Sequence, residues 1–190
     1  YTLYNPGIVF EAADKHQANM AQKADAEAKK VLKEKEKELF ENKSYGILGN
    51  NSAKVPFVEF YDYNCGYCKH AFPDLVKVTS ENKDIKVILI DTPILGPGSF
   101  EAAKWSIAAQ KLGKGVEFHK AVMDFAGPKD EPNLTDIVKK LGLDPAKVKE
   151  MANDKSTQEQ IDKNMGLFSA LGLSGTPGFV TSDRVIRGAV

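Results

Sequence analysis

The stretch Val55-Pro-Phe-Val-Glu-Phe-Tyr-Asp62 constrains the fold more than any other part of this chain. Rich in β-branched and aromatic residues, it reads as a strand. Alternation puts Phe57, Glu59 and Tyr61 on one face and Val58 and Phe60 on the other, so both faces carry large apolar groups. A central strand, covered on both sides, accommodates that pattern. A second run, Ile85-Lys-Val-Ile-Leu-Ile90, has the same character. Between the two, Phe72, Leu75 and Val76 recur at helical spacing and the Thr79 methyl completes the stripe. Strand, helix, strand in this order predicts a parallel pair with a right-handed crossover. The fold class is therefore α/β.

With 190 residues the chain holds one globular domain and, at most, an appendage. From about Glu11 to Lys43 it turns to Ala, Lys and Glu, with no Gly or Pro between Glu11 and Asn42, which predicts one long helix or two. Val31, Leu32, Leu39 and Phe40 form a short apolar stripe, and Ala12, Ala18, Ala21, Ala24 and Ala28 line the earlier part. Such a mostly polar helix is either solvent-bridging or completed by a partner chain. Residues 1–45 are thus expected to be a helical extension, either an arm that makes a homo-oligomer or a solvated leader. Gly46 to Lys54 reads as a turn. Residues 46–190 form the main domain, interrupted by a helical insertion at about 92–174. Within it Trp105, Ala108 and Leu112 make one stripe that stops at Gly113, and Phe118, Val122 and Phe125 make another. Asp144-Pro145 opens a helix through Val148 and Met151, and Ile161, Met165 and Phe168 mark a last one ending near Gly172. Two short strands, Phe179 to Thr181 and Arg184 to Arg187, close the domain around a Ser182-Asp183 turn.

Charge excludes some partners. Lys+Arg 26 against Asp+Glu 26 leaves no net charge, so neither nucleic-acid binding nor a polybasic membrane anchor is supported. No apolar run approaches the length of a membrane span. The sequence opens at Tyr1 rather than Met, which suggests a longer precursor whose export signal has been removed.

The chemistry concentrates at Cys65 and Cys68, the two cysteines of the chain. A disulfide framework would use more of them. A structural zinc site needs four ligands, and here His16, His70 and His119 alone could join two thiolates. Covalent haem attachment needs His after the second Cys, where Lys69 stands. Asn64 is expected to cap a helix whose first turn holds Cys65, so free N–H groups and the helix dipole favour an anionic sulfur there. Cys65 is then an acidic thiol, and Cys68 lies on the same face but deeper. One sulfur attacks and the other resolves, which is thiol–disulfide exchange through a mixed disulfide. Gly66 and Tyr67 add no cation, so a less extreme oxidant is expected than a His-containing dipeptide would give. Tyr67 is a substrate contact or a space-filler. Glu59, six residues before Cys65, sits where desolvation raises a carboxyl pKa, which would make it a proton carrier for Cys68; a frayed strand end would instead leave it in water. His70 and His119 read as surface or helix-packing residues. No cofactor and no metal is called for.

Val58-Glu-Phe-Tyr-Asp-Tyr-Asn-Cys-Gly-Tyr-Cys-Lys69, Pro73 in the following helix and Gly175-Thr176-Pro177 far downstream resemble the thioredoxin superfamily. The helical insertion points to its DsbA-like branch, over roughly Gly46 to Val190. The resemblance implies a thioredoxin fold, a cis bond between Thr176 and Pro177 lying against the cysteines, and substrate pairing along that segment. It also implies that Glu59 is the buried acid. The Gly66-Tyr67 dipeptide and Thr176 differ from DsbA and are similar to the isomerase DsbC, whereas the helical leader is similar to the oligomeric DsbA-like proteins of the ScsC kind. That family usually continues beyond the Arg-Gly-Ala segment into another helix, so an end at Val190 suggests truncation. The function implied is extracytoplasmic, bacterial and periplasmic disulfide isomerisation. Its partners would be reduced or misoxidised secreted proteins and a membrane redox protein that resets the cysteines. Alternatives are a disulfide-donating oxidase, a Cu(I)-binding thiol protein of copper tolerance, and a non-catalytic adaptor.

Overall fold

The computed structural model describes residues 6–188; the expectations at Tyr1 and Val190 lie outside them. The polar, glycine-poor leader forms α1 (Pro6–Glu34), broken at Lys35 and followed by the short α2 (Glu36–Phe40). Among the described residues, five strands, β1 (Gly46–Gly49), β2 (Val55–Tyr61), β3 (Ile85–Asp91), β4 (Gly178–Val180) and β5 (Val185–Arg187), make one sheet in the order β1-β3-β2-β4-β5. β2 and β3 are parallel, with Glu59 opposite Leu89, and α3 (Gly66–Glu81) joins them. The other pairs are antiparallel. β2 is therefore central, as its two apolar faces require.

Each face of the sheet has its own core. Tyr61, Val87 and Leu89 point to one side, against Phe72 and Leu75 of α3, Trp105 of α4 (Pro97–Lys111) and Phe118 of α5 (Gly115–Asp124). Val58, Phe60, Ile88 and Ile90 point to the other, against Leu32, Leu39 and the end of α8 (Lys155–Ala170), through Leu167 and Phe168. Leu32 and Leu39 are almost wholly buried, at 4% and 0% exposed. By contrast, residues 7–27 of α1 are all exposed. The projecting part of the leader thus ends before Ala28, ahead of the boundary expected at residue 45.

The insertion between β3 and β4 contains five helices: α4, α5, α6 (Glu131–Lys140), α7 (Pro145–Ala152) and α8. α4 ends before Gly113 (φ 78°), and Gly172 (φ 70°) follows α8. The Asp144 side chain accepts from the Ala146 N–H at 3.0 Å and caps α7 as its Asp-Pro start predicts.

Two elements escaped the sequence reading. β1 occupies the stretch read as a turn, because only Ile47 and Leu48 stand between two glycines and the strand is defined by its partner β3. α6 carried a start signal of its own, Asp130 accepting from the Asn133 N–H at 3.1 Å with a proline in the first turn. The hairpin strands are each one residue shorter at the turn than expected, with the Thr181 N–H donating to the Arg184 carbonyl at 3.0 Å.

Candidate active site

The site is built where β2 ends and α3 begins. Tyr61 is the last residue of β2, and the Cys65 N–H donates to the Asp62 carbonyl at 3.0 Å, closing a tight turn. Cys65 itself, not Asn64, is the N-cap of α3: its Sγ accepts from the Cys68 N–H at 3.4 Å. Asn64 is turned away, its amide donating to Ser99 Oγ at 3.0 Å. The sulfur therefore takes the place a serine or aspartate oxygen takes at other helix starts, directly on a free backbone N–H at the positive end of the dipole.

Both cysteines are free thiols. Cys65 Sγ also lies 3.2 Å from the Thr176 carbonyl, to which its S–H donates, and the Thr176–Pro177 peptide bond is cis. Two segments 111 residues apart in sequence thus meet at one sulfur. Beside them a groove of about 420 Å³ is lined by Tyr67, Leu173, Ser174, Gly175, Thr176 and Arg187, among others. Tyr67 stands at its edge with 70% of its surface exposed.

Cys68, one turn on, is fully buried, and burial pushes its thiol well up, with the Glu59 and Cys65 charges adding to the rise. Glu59 is 1% exposed, and neither carboxylate oxygen has a partner. Desolvation alone pushes it up to about 8. Paired with Leu89 on one side and Phe179 on the other, Glu59 is not at a frayed strand end. The structure brings Cys65, Cys68, Glu59, Thr176, Pro177 and Tyr67 to one end of the sheet. His70 is exposed and His119 is buried on α5, packed edge-on to Tyr61 and Phe72 with ring centroids at 4.5 and 5.2 Å.

Two features of the site were not foreseen. Asp62 is buried and accepts four hydrogen bonds. Oδ1 takes the Asn64 N–H and the Ser99 hydroxyl, both at 2.7 Å; Oδ2 takes the Ile94 and Leu95 N–H groups at 2.8 and 3.0 Å. Its partners are more than thirty residues away in sequence, apart from Asn64, so no local pattern marks it. Behind the cysteines, Tyr63 donates to Ser106 Oγ at 3.0 Å, and Ser106 donates to Asp91 at 3.2 Å. Burial pushes Asp91 up to about 7 and His119, which neighbours Tyr63 at 3.3 Å, down to about 3. Among the described residues no group of three or more His, Cys, Asp and Glu side chains could hold a metal ion.

Two thiols at the mouth of a helix, with the Thr176 carbonyl of the segment leading into β4 beside the first, can trade a disulfide with a bound chain. On a thioredoxin-like fold that is the chemistry of the thiol–disulfide oxidoreductases. The chain belongs to the DSBA-like thioredoxin domain family, whose model matches residues 57–190. Disulfide bond formation protein D of Bacillus subtilis is 26% identical over 160 residues, covering 76% of this chain and 71% of that protein. A linker-deletion variant of Proteus mirabilis ScsC superposes with a TM-score of 0.82 at 26% identity, covering 97% of this chain and 86% of the other. The thiol–disulfide exchange protein α-DsbA2 of Wolbachia pipientis gives 0.77 at 31% identity, over 86% and 89%.

Proposed function

We propose that this chain is a disulfide isomerase acting outside the cytoplasm on secreted proteins, with Cys65 as the attacking sulfur. The observation that carries the reading is the position of Cys65 Sγ between the Cys68 N–H and the Thr176 carbonyl. As a thiolate, Cys65 attacks one sulfur of a client disulfide. That S–S bond breaks, a mixed disulfide forms, and the client's other sulfur leaves as a thiolate. Return attack by a different client thiol gives a rearranged disulfide and restores Cys65 with no net oxidation. Where no client thiol arrives, Cys68 gives its proton to Glu59 and attacks Cys65 Sγ. This releases a reduced client and leaves a Cys65–Cys68 disulfide for a membrane redox partner to reduce. Glu59, pushed up to about 8, can take and return a proton near neutral pH.

Backbone pairing along Thr176 and Pro177, with Tyr67 across the groove, would hold the client strand. Two observations support isomerase over disulfide-donating oxidase. The Gly66-Tyr67 dipeptide places no cation beside Cys65. The exposed part of α1 also carries Ile8, Val9, Phe10 and Met20, all at least 47% exposed, as a surface for a second copy. Oligomerisation through that arm would enclose a cleft for a misfolded chain. A periplasmic location fits the relatives, one of which is a periplasmic thioredoxin-like protein from Salmonella enterica. Among the described residues no helix is long and apolar enough to cross a membrane.

The test removes residues 1–27, which leaves Leu32 and Leu39 in the core, and measures repair of a scrambled disulfide substrate. Loss of repair with retained single-disulfide exchange is the expected result. Full repair by a monomer, or a strongly oxidising Cys65–Cys68 potential, would instead favour the oxidase.

A further inference from the structure

We infer that Asp62 is a positioning residue for disulfide exchange, tying the turn that carries Cys65 to the start of the helical insertion. A carboxylate has about four acceptor sites, and on Asp62 four donors occupy them. One comes from the active-site turn, the Asn64 N–H, and one from α4 of the insertion, the Ser99 hydroxyl, which also receives the Asn64 side-chain amide. The other two are consecutive backbone N–H groups of the loop between β3 and α4. The backbone carbonyl of the same residue receives the Cys65 N–H. Asp62 thus bonds both to the turn before Cys65 and to the insertion. Hydrogen bonds to a charged acceptor are short and roughly twice as strong as neutral ones, so the clamp holds the turn rigidly.

This arrangement separates Asp62 from Glu59, three residues earlier. Glu59 has no hydrogen-bond partner and is free to exchange a proton. On Asp62 all four acceptor sites are taken by donors, and its role is geometric. The exchange reaction needs the attacking sulfur in line with the two client sulfurs while the client backbone is held at Thr176. Small displacements of a reacting atom lower such rates strongly. Alkylation by a small reagent imposes no such alignment.

The inference rests on the exchange activity of the Cys65–Cys68 pair and is independent of the choice between isomerase and oxidase. Its test compares the full chain with Asp62→Asn and Ser99→Ala, at a temperature where each is folded. Asp62→Asn keeps the size but turns an NH2 toward the Ile94 and Leu95 N–H groups; Ser99→Ala removes a single donor. Two rates are read at neutral pH: reaction of the reduced protein with a peptide bearing one intramolecular disulfide, and alkylation of Cys65 by iodoacetamide. Expected is a fall in peptide exchange of at least tenfold for Asp62→Asn and two- to fivefold for Ser99→Ala, with alkylation within twofold of the parent. If Asp62→Asn fails to fold, Ser99→Ala decides alone. Unchanged exchange in Ser99→Ala overturns the inference, and so does a parallel fall of exchange and alkylation. Absence of peptide exchange in the parent chain would instead refute the exchange reading itself.

Discussion

Glu59 and Asp62 are both buried at the end of β2, yet their surroundings give them opposite chemistry. The absence of any partner is what lets desolvation push Glu59 from 4.5 to about 8. The native state then holds a proton that the unfolded chain has already lost between those two values. Stability is accordingly complete below about 4.5 and falls as pH rises through about 8. At pH 7 the penalty is on the order of 3 kcal/mol. Asp91, pushed up to about 7, acts in the same direction, whereas His119, pushed down to about 3, gives stability that grows from about pH 3 to the ordinary histidine range. Replacing Glu59 with Met, which fits the same apolar space, isolates the first contribution. Urea midpoints of Glu59→Met should exceed those of the parent at pH 7 and converge with them near pH 4.5. The same variant should resolve the mixed disulfide roughly a hundredfold more slowly, since Cys68 loses its proton acceptor. Equal resolution rates would remove Glu59 from the chemistry. A six-residue spacing and two aromatic neighbours made Glu59 legible in the sequence. Asp62 was not legible, because its meaning lies in Ile94, Leu95 and Ser99, which only the fold brings near.

At the scale of elements, what was legible was whatever carries its own periodicity or cap. β2, β3 and α3 show their faces in the order of their side chains, and α7 announces itself by Asp144-Pro145. β1 has four residues, two of them glycines, and exists because the β3 edge offers it partners. The end of α1 and α2 showed only the short stripe of Val31, Leu32, Leu39 and Phe40, which does not by itself say what it packs against. In the fold Leu32 and Leu39 close the second face of the sheet beside Phe60 and Phe168, whose rings lie 5.8 Å apart. Leu39→Ala should therefore lower stability by roughly 2–5 kcal/mol. A surface substitution such as Lys23→Ala should stay within about 0.5 kcal/mol. Thermal or urea unfolding decides between this and a leader independent of the domain, in which Leu39→Ala would be as silent as Lys23→Ala.

The whole molecule joins a closed catalytic domain to a helix that leaves it. N-terminal to Ala28, an ion pair from Arg187 to Asp25 at 2.9 Å links the helix to the domain; both side chains are partly exposed, and it contributes at most about 1 kcal/mol. Arg187 also lines the groove beside Thr176 and donates to the Gly172 carbonyl at 3.3 Å. The direction of the arm and the client groove therefore share a residue. The helix carries three consecutive exposed apolar residues, Ile8, Val9 and Phe10, and the oligomeric arm proposed above would cover them with a second copy. Phe10→Asp places a charge where such a surface would bury an aromatic ring, and unpaired burial of a charge is prohibitive. Light scattering across a hundredfold concentration range should show the parent as an oligomer and Phe10→Asp as a monomer. Circular dichroism and Cys65 alkylation should match, because the substituted residue touches neither sheet face nor the cysteines. If the parent is already monomeric at the highest concentration, the arm has no second copy to bind, and the oxidase reading is favoured over the isomerase.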